Sequence, residues 1–180
     1  MNYIKITPVS LIDGDGARVV LWASGCPHAC VGCHSPETWD EKAGKPFDDE
    51  AKEYLFDKLG HPLIDGLTLS GGDPMMDCNR EEITNVAREA KRRFPEKDIW
   101  MYSGFEFENI KHLEIIDYID TLVDGKFHLE IRQKNPDVHW RGDETQRIID
   151  VPKSLECGDV VFREDLYHLE RMAQKKKGKA

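Results

Sequence analysis

The run Gly25-Cys26-Pro27-His28-Ala29-Cys30-Val31-Gly32-Cys33 places three thiols in a CxxxCxxC spacing within one loop. Thiolates are soft donors that suit iron–sulfur clusters and zinc. A four-iron cube held by three cysteines keeps one iron open to a small molecule, which makes the loop a candidate for catalysis. A structural zinc ion instead needs four closed ligands. His28 and His34 are the residues at hand to complete such a set, although His28 lies inside the loop, where ligation would strain it. Disulfides fit poorly, because five cysteines is an odd number and the opening Met1-Asn2-Tyr3-Ile4-Lys5-Ile6 carries no apolar signal segment. The chain therefore reads as a protein of a reducing compartment, the cytoplasm. Cys78 and Cys157 have no partner spacing and read as small apolar side chains.

Elements must hold this loop in place, and their signals alternate. The β-branched, apolar stretch 18–23 reads as a strand running directly into the cysteines. A helix follows over 48–58, with Asp48, Asp49 and Glu50 in its first turn, where the helix dipole favours anions, and Gly60 just past its end. A strand over 67–70 stops at Gly71-Gly72-Asp73-Pro74. Ile83, Val86, Ala87, Ala90 and Phe94 then form a one-sided helical stripe within about 80–94. Strands over 98–102 and 121–123 flank a short helix over 113–119.

Alternating strands and helices predict an α/β domain with a mostly parallel sheet and right-handed crossovers. Loops at the carboxyl ends of such strands share one edge, where ligands bind. The cysteine loop, Gly71-Gly72-Asp73-Pro74, Ser103-Gly104 and Asp124-Gly125-Lys126 are thereby expected to converge. A Gly-Gly-Asp-Pro run is by itself a turn. Beside a cluster its glycines admit close backbone approach, and Asp73 becomes an acceptor for an ammonium group.

Composition bounds the remaining choices. With 180 residues, 39% hydrophobic and 33% charged, the chain can bury a core and has no segment near the ~20 apolar residues that span a bilayer. A net charge of -9 argues against sequence-independent nucleic-acid binding, which rests on neutralising phosphates. The terminal Lys175-Lys176-Lys177-Gly178-Lys179 reads as a solvated tail. No internal repeat or low-complexity linker divides the chain.

CxxxCxxC followed by Gly-Gly-Asp-Pro at the end of the next strand resembles the radical S-adenosylmethionine enzymes, whose fold is a partial (β/α) barrel. Further segments narrow the resemblance: Ser24-Gly25 before the first cysteine, Pro36-Glu37-Thr38-Trp39, 98–104, Leu122-Val123-Asp124-Gly125-Lys126-Phe127, Trp140-Arg141-Gly142 and Gln146-Arg147. Together they are similar to the glycyl-radical activases that serve anaerobic ribonucleoside-triphosphate reductase. The likeness covers 1–151 and leaves 152–180 as an extension, in which Leu166, Leu169, Met172 and Ala173 suggest a short amphipathic helix.

The resemblance implies a [4Fe-4S] cluster on Cys26, Cys30 and Cys33, with S-adenosylmethionine on the open iron. It further implies reductive cleavage to a 5'-deoxyadenosyl radical and formation of a glycyl radical on the reductase, with electrons from an external donor such as a flavodoxin. Carried over by position, Gly32 and His34 would meet the adenine, and Gly72 and Asp73 the amino group. Ser103 would meet the ribose or carboxylate, and Asp124 and Lys126 the methionine end. Trp140, Arg141, Gly142, Gln146 and Arg147 read as a partner-facing or loop-clamping segment. Two alternatives stand beside this one: a small-molecule radical enzyme of the carboxy-deazaguanine synthase type, and a non-catalytic module stabilised by zinc.

Overall fold

The computed structural model describes residues 1–167, so Leu169, Met172, Ala173 and the lysine tail lie outside the described residues. Seven strands form one sheet: β1 (Asn2–Ser10), β2 (Arg18–Ala23), β3 (Lys45–Pro46), β4 (Gly66–Gly71), β5 (Asp98–Ser103), β6 (Thr121–Asp124) and β7 (Arg147–Asp150). Their spatial order is β3-β1-β2-β4-β5-β6-β7. The central strands β2, β4, β5 and β6 are parallel, while β1, β3 and β7 run antiparallel to their neighbours. The α/β class and the parallel core match expectation. The margins are antiparallel, and the sheet is open, with β3 and β7 as its edges.

Helices α1 (Asp49–Leu59) and α2 (Asp77–Arg93) supply the crossovers on either side of β4. Asp48 caps α1 by accepting the Ala51 N–H at 3.0 Å. The stretch 113–119 is a tighter 3-10 turn, Glu114–Tyr118. Three short helices, α3 (Phe107–Ile110), α4 (Leu129–Lys134) and α5 (Val151–Cys157), complete the set, and α5 begins with Asp150 accepting the Lys153 N–H. Val151 and Leu166 are both buried, so this part of the chain also packs on the sheet.

Strand alternation sorts the two faces. Leu67, Leu69, Ile99, Met101 and Leu122 point into the main core with Leu55, Ile83, Val86 and Ile115. On the other face Trp100, Val123 and Ile148 make a smaller cluster with Leu166, against which Tyr102 and Trp140 pack. That face is partly polar. Arg18, fully buried on it, donates to Thr68 Oγ1 at 2.7 Å, Leu67 O at 2.8 Å and Asp98 Oδ1 at 2.9 Å, which makes it a brace of the sheet. Among the described residues no helix is long and apolar enough to cross a membrane.

Candidate iron–sulfur site

The cysteine loop leaves β2 through Ser24 and Gly25, which are pinned from several sides. Gly25 N–H donates to Thr38 O at 2.7 Å, and Cys26 N–H to Trp39 O at 3.1 Å. Asn79, at the start of α2, donates to Ser24 O at 2.8 Å and to Asp73 O at 3.0 Å. The 3-10 turn Pro36–Thr38 and α2 thus fix where the loop starts. Gly25 (φ +97) and Gly32 (φ +74) adopt the left-handed backbone that glycine tolerates, and Ala29 (φ 47) joins them.

All three thiols are free and half-buried. Burial pushes the Cys26 thiol up, the His28 backbone N–H pulls the other way, and the charges of Asp73, Cys30 and Cys33 push it up further. The burial and neighbouring charges that oppose ionisation of Cys26 would be offset by a cationic metal centre. The Ser35 N–H donates to Cys33 Sγ at 3.4 Å, a contact that stabilises a ligating thiolate. The donor set therefore fits an iron–sulfur cluster. Among the described residues no three His, Cys, Asp or Glu side chains are gathered as ligands of a single ion.

Cys30, Gly32, Cys33 and His34 open onto a cavity of about 790 Å³. Its floor is the partly polar face of the sheet, with Trp22, Ser70, Gly71 and Tyr102, and Trp140 and Arg141 lie on the far wall. At its rim Leu11 and Ile12 are 72% and 81% exposed. The volume suits a nucleoside-sized cofactor. Burial, with the charge of Asp13 next, raises the Tyr102 phenol well above its ordinary range and keeps it a proton donor.

The other expected contacts fall on different surfaces. Gly72 lies against the loop, and a Cβ there would collide with the Gly25 carbonyl. Its N–H is used by Ala23 O at 2.7 Å, and the Asp73 N–H by Gly25 O at 2.7 Å. Asp73 is 1% exposed, and its carboxylate is taken up by Met75 N at 2.8 Å, Ser103 Oγ at 2.9 Å, Gly104 N at 2.9 Å and His28 Nε2 at 2.7 Å. Asp73 and Ser103 thus bind each other on the helix-covered side, whereas alternation points Ser70 and Tyr102 at the cavity. Asp124 is fully buried, accepts the Phe107 N–H at 2.8 Å and pairs with Arg147. Lys126 is exposed and lines a separate hollow of about 550 Å³ with His28, Phe105 and His128.

The segment after β6 clamps the site. Gly142 N–H donates to Gln146 Oε1 at 2.6 Å, and Gln146 Nε2 to Gly125 O at 2.7 Å. Arg141 lies over Tyr167, and Trp140 meets Trp100 edge-on at 6.4 Å. Of the two roles expected for this segment, these contacts are those of a loop clamp. Arg147 differs from a partner-facing anchor, because its guanidinium is spent on Asp124 and, at 2.7 Å, on Glu108. Cys78 and Cys157, read from the sequence as small apolar side chains, are both exposed. His28 and Asn79 are site residues that the sequence did not single out in these roles, since neither pairing leaves a spacing signal.

This is an α/β protein carrying a three-cysteine loop at the carboxyl edge of its parallel strands, and residues 12–149 match the family described as "4Fe-4S single cluster domain". The chain is 44% identical over 148 residues to the anaerobic ribonucleoside-triphosphate reductase-activating protein of Enterobacteria phage T4, covering 82% of this chain and 93% of the relative. It is 40% identical over 152 residues to that of Haemophilus influenzae, covering 82% and 97%, and 35% identical over 150 residues to that of Escherichia coli K12, covering 81% and 96%. The chain belongs to the family of anaerobic ribonucleoside-triphosphate reductase-activating proteins.

Proposed function

We propose that this chain is a radical S-adenosylmethionine activase that installs a glycyl radical on an anaerobic ribonucleoside-triphosphate reductase. The observation that carries the reading is the three-thiol loop opening onto a nucleoside-sized cavity, in a chain whose relatives are named for activating that reductase. When bound, the cluster would supply the electron for reductive cleavage of S-adenosylmethionine to methionine and a 5'-deoxyadenosyl radical, the species that would take a hydrogen atom from a glycine of the reductase. Everything else falls to the protein: binding, orientation and exclusion of water.

Cys26, Cys30 and Cys33 would hold the cluster as thiolates, steadied by the Ser35 and His28 amides. Gly32 brings the loop backbone close to the cavity, where Leu129 packs over it, and His34 offers a ring to the adenine. Gly72 packs against the loop, and Tyr102 and Ser70 would provide hydroxyls from the floor. Ser103 and Asp124 support the strand ends from beneath, and Lys126 stays in the neighbouring hollow beside His28, outside the cofactor cavity. The exposed Leu11 and Ile12 at the mouth suit a protein substrate, because exposed apolar side chains gathered at a site mark interaction surfaces. An external one-electron donor such as a flavodoxin completes the reaction, which we assign to the cytoplasm.

Anaerobic reconstitution tests the cofactor half of the reading. About four irons and four sulfides per chain are expected. Cys26→Ala, Cys30→Ala and Cys33→Ala should each abolish uptake, while the exposed Cys78 and Cys157 should tolerate Ala. Stoichiometric zinc in place of iron would refute it.

A further inference from the structure

We propose that His28 and Asp73 form a positioning pair that fastens the cysteine loop to the carboxyl edge of the sheet, so that Asp73 serves the loop and not a cofactor ammonium group. The inference rests on the reading that the loop holds an iron–sulfur cluster. His28 stands between Cys26 and Cys30, where three residues of the loop have positive φ and no ladder holds the backbone. Its ring nevertheless points inward, with the side chain only 7% exposed. Nε2 donates to Asp73 Oδ2 at 2.7 Å, and the ring meets Phe105 edge-on at 4.7 Å.

The two partners are matched on both sides of this bond. A carboxylate offers about four acceptor positions. Asp73 fills them with His28 Nε2, Ser103 Oγ, Gly104 N–H and Met75 N–H. One carboxylate therefore ties together the exits of β4 and β5 and the middle of the cysteine loop. Gly104 completes the seat, since a Cβ there would collide with the His28 ring. A side chain held in this way also fixes its own amide, which bears on Cys26. Partners of this kind, outside the ligand set, orient ligands and govern retention of the metal.

The test uses the full chain, anaerobically reconstituted, and follows iron release to a ferrous chelator. His28→Ala and Asp73→Ala should each release iron roughly tenfold faster than the wild type, the scale seen when an outer partner of a metal ligand is lost. The double variant should be no faster than about the faster single one, because residues acting as one unit are not additive. His28→Gln, whose amide can donate from a similar position, should return release to within about twofold of wild type, and this pair of His28 variants decides the matter if Asp73→Ala does not fold. S-adenosylmethionine binding by equilibrium dialysis should be unchanged in whatever fraction of Asp73→Ala retains its cluster. Additive rates, a His28→Gln variant as leaky as His28→Ala, or an Asp73→Ala variant with wild-type retention and lost cofactor binding would each overturn the pair. A wild-type chain that takes up no iron would instead refute the cluster reading beneath it.

Discussion

At the scale of the residue, the cysteines stand out in the sequence because ligand chemistry needs both type and spacing, and CxxxCxxC supplies both within one loop. The cofactor residues were less legible, because a short motif names a side chain without saying which face of its strand it takes. Ser103 and Tyr102 are neighbours, yet Ser103 turns to Asp73 while Tyr102 turns to the cavity. Tyr102→Phe is therefore expected to keep iron content and fold and to weaken S-adenosylmethionine binding by about 2- to 10-fold, the value of one neutral hydrogen bond, measured by equilibrium dialysis. Gly72→Ala probes the opposite kind of residue. Its Cβ would strike the Gly25 carbonyl, so it should lower the urea unfolding free energy by about 1–3 kcal/mol, as overpacking does.

At the scale of the element, every strand expected in the parallel core is present, since β2, β4, β5 and β6 are short, mostly buried runs with apolar centres bounded by turn residues. The marginal strands carry weaker sequence signals. β1 mixes exposed and buried positions, β3 has only two residues, and β7 is a four-residue run with two buried positions. What β7 does is electrostatic as well as structural: it delivers Arg147 to the buried Asp124 and to Glu108. Arg147→Ala leaves that buried carboxylate without its cation and should cost about 3–5 kcal/mol in a denaturant titration. Arg147 also holds the Glu108 carboxyl down at about 2, from an ordinary 4.5. A depressed carboxyl stabilises the fold above its unfolded value, and that contribution is lost as pH falls from about 4.5 toward 2. Glu108→Gln should accordingly flatten the acid side of the stability profile in that window and leave its slope near neutrality unchanged, as followed by circular dichroism.

At the scale of the whole molecule, the open sheet divides labour between its faces. One face is closed by α1, α2 and the 3-10 turn Glu114–Tyr118 over the apolar core. The other carries Trp22, Ser70 and Tyr102 into a cavity whose mouth is edged by exposed Leu11 and Ile12. Alternating strands and helices announced the first face, whereas the second is built by the β1–β2 loop and the segment 127–142, which carry little periodic signal. In the function proposed above, the substrate that reaches this open edge is another protein, the anaerobic reductase. The direct measurement is electron paramagnetic resonance on an anaerobic mixture of the reconstituted chain, reductant, S-adenosylmethionine and an anaerobic ribonucleoside-triphosphate reductase. A persistent organic radical signal with hydrogen splitting, lost when the reductase glycine is changed to alanine or when Cys30→Ala replaces the wild-type chain, is the predicted result. A chain that carries its cluster and cleaves S-adenosylmethionine in the presence of the reductase, yet leaves no radical on it, would contradict the account.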